Sequence, residues 1–177
     1  MIRTFTNVLS QEHCDRLIVE FEVDPQRHQI FQKDGCPNFT QIELPNFHNT
    51  STGKTVLSAV QKMCNAIRDD YPELPEITAL ETFRIKKYST GGNDRFDRHV
   101  DVTNHETARR ALAIQFYLNT VKHDGKTIFF FPDDLPKMIP AIAGNAIAFP
   151  PMWMYPHRGE PPTSDDKYIL TTYLHYT

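Results

Sequence analysis

Downstream of Pro75 the chain breaks into short runs rich in β-branched and aromatic residues: ALETFRIKKY, RFDRHVDV, ALAIQFYLNT, KTIFFF, NAIAFP and KYILTTYLHY, separated by Gly, Pro, Asp and Asn clusters. Many short strands punctuated in this way predict a sandwich or barrel. Several of the runs are apolar at both odd and even positions, so both faces of the sheet they form need cover, helices on one side and a second sheet on the other. The helices lie upstream. In SQEHCDRLIVEF, residues Cys14, Leu17, Ile18 and Phe21 recur at helical spacing behind a Ser10 N-cap. In STGKTVLSAVQKMCNAIRDDYP, residues Val56, Leu57, Val60, Met63, Cys64 and Ile67 form one stripe that stops at Tyr71-Pro72. The expected fold is therefore α+β and mainly β: a jelly roll, or double-stranded β-helix, over about 76–177, with a helical N-terminal part over about 1–75 packed on one sheet. At 177 residues this is one domain.

Composition narrows the function classes. The net charge is -3 and no long basic run occurs, so the electrostatic footprint of a nucleic-acid binder is missing and no nucleic-acid partner is expected. Cys14, Cys36 and Cys64 are odd in number, widely spaced and free of any CxxC pattern, which argues against a disulfide framework or zinc ribbon and for a reducing, cytoplasmic location. The start of the chain, MIRTFTNVLSQEH, has no apolar core of signal-peptide length, and no run approaches the ~18 apolar residues of a membrane span.

The chemistry is carried by three residues. His99 and Asp101 form an H-x-D pair, and His157 follows after a long interval ending in AIAGNAIAFPPMWMYPH. Two histidines and one carboxylate are the ligand set of a facial triad, which leaves open iron positions for a bidentate co-substrate and for oxygen. Side chains at i and i+2 of a strand share a face, so His99 and Asp101 can grip one metal if residues 96–102 are extended. His13-Cys14-Asp15 repeats the pattern but sits in the first helical segment. There i and i+2 point roughly 200° apart, so this copy cannot chelate. Ser51-Thr52-Gly53-Lys54-Thr55 ends like a phosphate-binding loop, yet His48 stands where the loop's first glycine belongs, and the segment reads as a helix N-terminus.

With the triad placed, the chain resembles the 2-oxoglutarate and iron(II)-dependent oxygenases, specifically the prolyl 4-hydroxylase group. The similarity runs from about Phe83 to Tyr176 through FRIKKYSTGGNDRFDRHVD, RALAIQFYLN, GKT, AGNAIAFPP and HRGEPPTSDDKY. It implies iron(II) on His99, Asp101 and His157, 2-oxoglutarate as co-substrate, O2, and ascorbate as a stimulant. It places Lys167, ten residues after His157, on the far carboxylate of 2-oxoglutarate, with Tyr117 as a second donor there. Independently of any family, a buried dianion beside a metal needs a fixed cation. The resemblance also puts Tyr88 in the co-substrate and substrate pocket, with Thr127 and Trp153 as weaker pocket candidates. The Gly-rich loop STGGNDRFDR between Tyr88 and His99 suits a lid; Asp94, Asp97 and Arg98 read as its solvated charges, with support for the ligands as the alternative role of Asp97. The chain departs from the group's pattern at Asp124-Gly125-Lys126-Thr127 and in HRGEPPTSDDKY, with Pro162 and Asp165-Asp166, which bears on prolyl specificity but touches no ligand.

The resemblance implies a dioxygenase that hydroxylates a prolyl residue in a peptide or protein and releases succinate and CO2. The alternatives are a free amino acid or small metabolite as substrate, and a non-oxidative, cupin-like metal-binding jelly roll. The remaining histidines, His13, His28, His48, His105, His123 and His175, read as structural or solvated.

Overall fold

The computed structural model describes residues 1–32, 38–132 and 134–176. In chain order its elements are strand β1 (Arg3–Phe5), helix α1 (Gln11–Glu22), strands β2 (Gln29–Phe31) and β3 (Phe39–Leu44), helix α2 (Ser51–Asp70), and strands β4 (Ile77–Leu80), β5 (Phe83–Tyr88), β6 (Phe96–His99), β7 (Arg110–Tyr117), β8 (Thr127–Phe129), β9 (Lys137–Ile139), β10 (Ala146–Phe149), β11 (His157–Gly159) and β12 (Lys167–Tyr176). Two antiparallel sheets form. The larger runs β1-β10-β7-β12-β5-β3-β2, with β4 also pairing with β12, and the smaller runs β6-β11-β8-β9. The molecule is the expected double-stranded β-helix backed by helices.

The two-faced apolar strands explain themselves in the core. On β7, Leu112, Ile114 and Phe116 turn toward the helices, while Ala113 and Tyr117 turn toward the smaller sheet. On β10, Ala146 and Ala148 face one way and Ile147 and Phe149 the other. The period-two alternation of a strand thus feeds two separate cores. Cys14, Leu17 and Phe21 of α1 and Val56, Val60, Met63 and Ile67 of α2 fill the helix-side core, as their spacing required. The Ser10 hydroxyl caps α1 by accepting the His13 amide, and Thr50 caps α2 by accepting the Gly53 amide at 2.9 Å.

The N-terminal part is more than helical. β1, β2 and β3 all precede residue 75, and all three join the larger sheet: β1 pairs with β10, and β3 with β5. Shortness hid β1 and β2, which have three residues each, so that no periodicity can develop. Cys14 and Cys64 are free thiols; Cys36 lies outside the described residues. Among the described residues no helix is long and apolar enough to cross a membrane.

Gly53 shows what the Gly-Lys-Thr triplet is for. A Cβ at this position would stand 1.8 Å from the Phe47 carbonyl oxygen, so the turn ending at Asn49 packs directly on the first turn of α2. Gly53→Ala gains helix propensity but forces these backbones apart. A net destabilisation of about 1–3 kcal/mol is expected, read as a lower urea midpoint at unchanged slope.

Candidate metal centre and co-substrate cleft

β6 and β11 bring the two histidines together. They pair antiparallel in the smaller sheet, with His157 directly opposite His99. Asp101 arrives differently from the sequence expectation. Strand β6 ends at His99, and Asp101 lies in the bend beyond it, where its amide and that of Val102 both donate to the Pro151 carbonyl oxygen. Convergence therefore comes from the bend anchored on Pro151 rather than from strand alternation. The Asp101 Oδ1 lies 3.4 Å from His99 Nε2, and Oδ2 lies 3.6 Å from His157 Nε2. One ligand atom from each residue falls within 4.8 Å of the others.

The two imidazoles are held in the ligating tautomer. His99 Nδ1 lies 2.7 Å from the Asp97 carbonyl oxygen, and His157 Nδ1 lies 3.1 Å from that of Tyr155. Each Nδ1–H donates to a carbonyl, so each Nε2 presents a lone pair to the common point. Asp97 supports the site through its backbone; its carboxylate is taken by Arg95. Phe96 stacks on the His99 ring, with centroids 3.6 Å apart, and Phe149 packs edge-on against His157. Burial pulls the His157 imidazole down to about 4 despite the neighbouring Asp101. Burial opposes charge on Asp101 too, but the neighbouring His99 and His157 and the Tyr173 hydroxyl together hold its carboxyl down to about 2. At neutral pH, then, His157 is neutral and Asp101 ionised, as a divalent metal requires. The donor set fits iron(II).

Asp101 has support that the sequence reading missed. Tyr173 donates its hydroxyl to Asp101 Oδ1 at 2.8 Å. Arg110 donates to the Asp101 carbonyl oxygen at 2.9 Å, lies 3.8 Å over the Tyr173 ring, and is itself gripped by both carboxylate oxygens of Glu81 at 2.6 and 3.0 Å. His175 closes the group on Glu81. The available signal was periodicity: Tyr173 lies six residues after Lys167 on one strand and so on the same face. Tyr173→Phe removes one hydrogen bond from the ligand and is expected to lower iron(II) affinity about tenfold, measured by competition with a chromophoric chelator.

The triad opens into a cleft lined also by Tyr88, Thr127, Lys167, Ile169 and Lys86. Lys167, 2% exposed, opens β12 opposite Tyr88. Its ammonium rests 5.5 Å from the Tyr88 ring centre and 5.8 Å from that of Tyr117, and no carboxylate pairs with it among the described residues. Burial pulls it down to about 7, with Glu160 pulling the other way from a distance. Asn119 fixes its place: the side chain donates to the Asp166 carbonyl and accepts the Tyr168 amide, one residue on either side of Lys167. Tyr117 is wholly buried and gives its hydroxyl to Thr127 Oγ1 at 2.8 Å. Gln115 donates to the same oxygen at 3.0 Å. With both acceptor positions of Thr127 taken, its own proton is free to point into the cleft. Trp153, by contrast, is 76% exposed and stands outside the cleft, while Phe149 is buried in its wall. The apolar run before His157 does not read out which of its aromatics turns inward.

Residues 83–175 match the 2OG-Fe(II) oxygenase superfamily, and the chain belongs to that family. Its membership implies iron(II) and 2-oxoglutarate, which the His-Asp-His triad fits. No curated protein matches the chain in sequence. Among solved structures, a prolyl-4-hydroxylase of Pseudomonas putida is similar at TM-score 0.79 and 16% identity, with 99% of this chain and 92% of that one covered. A prolyl hydroxylase in complex with a hypoxia inducible factor oxygen degradation domain peptide fragment, from Trichoplax adhaerens, gives 0.81 and 14%, covering 98% and 83%. The 2OG complex of a viral collagen prolyl hydroxylase from Paramecium Bursaria Chlorella virus-1 gives 0.71 and 18%, covering 99% and 96%.

Proposed function

We propose that this protein is a 2-oxoglutarate- and iron(II)-dependent dioxygenase that hydroxylates a prolyl residue in a peptide or protein, releasing succinate and CO2. The observation that carries the co-substrate assignment is Lys167, a buried cation without a carboxylate partner among the described residues, lining the same cleft as the triad. Prolyl specificity is supported by the overall likeness to prolyl hydroxylases, one of them holding a peptide.

In this reading His99, Asp101 and His157 hold the metal, and Lys167 and the Thr127 hydroxyl take the far carboxylate of 2-oxoglutarate. Tyr117 and Gln115 act through Thr127 by fixing its proton direction. Phe96 and Phe149 cover the imidazoles and keep water from the reacting centre. Iron with 2-oxoglutarate and O2 supplies the oxidant, which is cofactor chemistry rather than side-chain chemistry.

An anaerobic visible titration with iron(II) and 2-oxoglutarate tests the class, and a panel of prolyl peptides scanned for gain of one oxygen atom tests the substrate. A charge-transfer band with peptide-stimulated succinate release is the expected result. No band despite bound iron overturns the oxygenase; a band without prolyl turnover overturns the prolyl assignment alone.

Co-substrate binding carries a pH signature. The Lys167 ammonium is held down to about 7 in the free site, chiefly by burial, and a bound dianion pulls its pKa back up. Below pH 7 the lysine is already charged and affinity is flat. Above pH 7 binding takes up a proton, so affinity falls by about tenfold per pH unit until the raised pKa is reached. Calorimetry at pH 8 in two buffers of different ionisation enthalpy is expected to report uptake of close to one proton, and at pH 6 almost none.

A further inference from the structure

A second lysine lines the cleft, and neither the metal nor the co-substrate uses it. Lys86 lies on β5, two residues before Tyr88 and on the same face. It pairs with Ile169 on β12, whereas Lys167 pairs with Tyr88. The two lysine backbones are therefore staggered by two strand positions, roughly 7 Å along the sheet. On its other side β5 meets β3 and then β2, where the larger sheet ends among the described residues. Lys86 thus sits on the flank of the cleft toward the sheet edge.

The described residues around it hold a cation without neutralising it. The ammonium lies 4.9 Å from the Phe39 ring centre and 5.3 Å from that of Phe96, the ring stacked on His99. Ring faces attract an ammonium but contribute no countercharge. No carboxylate pairs with Lys86 among the described residues; its neighbours Arg84 and Lys87 take Glu43 and Glu81, and Glu22 and Asp166, on the other face or beyond. The acid that attracts it is Asp101, which is a ligand. Charge counting in the loaded cleft then becomes decisive. Iron(II) and Lys167 balance the Asp101 carboxylate and the 2-oxoglutarate dianion, and Lys86 is the positive charge left over. A half-buried cation with no countercharge among the described residues favours an anionic partner.

We propose that Lys86 recognises a carboxylate of the substrate, so that the preferred substrate carries an acid beside the residue that is hydroxylated, either an adjacent Asp or Glu side chain or a free C-terminus. This rests on the dioxygenase reading above. It assigns Lys86 a specificity role separate from the co-substrate role of Lys167.

The test uses the full chain loaded anaerobically with iron(II) and 2-oxoglutarate, so that binding is read without turnover. Loading is measured first, from the visible band; a parent that does not load overturns the dioxygenase reading before Lys86 is at issue. Three acetylated peptides are then compared by calorimetry: Gly-Pro-Gly amide, the same sequence with a free C-terminal acid, and Gly-Pro-Asp amide. At least one acid-bearing peptide is expected to bind tenfold or more tighter than the neutral one, and the tighter of the two identifies the source of the carboxylate. In Lys86→Met this preference is expected to fall below twofold with loading unchanged, and in Lys86→Arg to persist. A parent that binds none of the peptides, or binds them equally, overturns the proposal. So does a preference that survives in Lys86→Met, and so does loss of 2-oxoglutarate binding in that variant, which would reassign Lys86 to the co-substrate.

Discussion

Replacing His99 with alanine is expected to abolish the iron(II)–2-oxoglutarate absorption band and to weaken iron(II) binding by on the order of 10²–10³-fold. The scale follows from structural four-ligand sites, which supply about 10–16 kcal/mol in all, or about 2.5–4 kcal/mol per ligand. His99 is placed for this role by its pairing with His157, by the Asp97 carbonyl that fixes its tautomer, and by the Phe96 ring that fixes its plane. The helical copy of the motif provides the internal control. His13 spends its ring on the N-cap Ser10, and Asp15 accepts from Gln11 within α1, so His13→Ala is expected to leave the band unchanged. A band retained in His99→Ala, or lost in His13→Ala, would remove the triad from the account.

That control also marks what the sequence could carry. The same three-letter pattern occurs twice, and secondary-structure context alone separates the copies: Cys14, Leu17 and Phe21 put one on a helix, and the runs after Pro75 put the other among strands. The two-faced apolar texture of β7, β10 and β12 gave the layering, because one residue in two must satisfy each core. What remained illegible depends on contacts distant in sequence. The bend that delivers Asp101 is held by Pro151, and strands β1 and β2 are too short to have a period and exist because β10 and β3 offer them edges. The resemblance implies Tyr117 as a donor to the co-substrate; in the structure its hydroxyl goes to Thr127, a partner that no one-dimensional pattern reveals. Lys86 and Tyr173 each lie an even number of residues from a site residue on the same strand, but an isolated lysine or tyrosine on a strand is ordinary and carries no signal of its own.

Exchanging Lys167 for methionine is expected to move co-substrate affinity and protein stability in opposite directions. Methionine keeps the length of the stem and leaves little cavity, so the change is close to a deletion of charge. In the free protein the ammonium is buried beside two tyrosine rings without a carboxylate partner among the described residues, and burial holds it down to about 7. The unfolded chain binds that proton up to the ordinary lysine range, so between about pH 7 and pH 10 the unfolded state holds more protons and the parent gains stability as pH rises. The methionine variant lacks this slope. It should be more stable than the parent at and below pH 7, with the gap closing toward pH 10, as thermal unfolding across that range will show. With 2-oxoglutarate the sign reverses. The cation that burdens the empty cleft is the one that meets the dianion, and losing one partner of a desolvated charge pair costs about 2–5 kcal/mol, on the order of 10²–10³-fold in affinity. Iron(II) binding should stay at the parent level, because Lys167 touches none of the ligands. A variant that is stabilised and still binds 2-oxoglutarate as tightly as the parent would make Lys167 a buried core lysine and shift the search for the co-substrate cation to Lys86, the other cleft lysine without a carboxylate partner among the described residues.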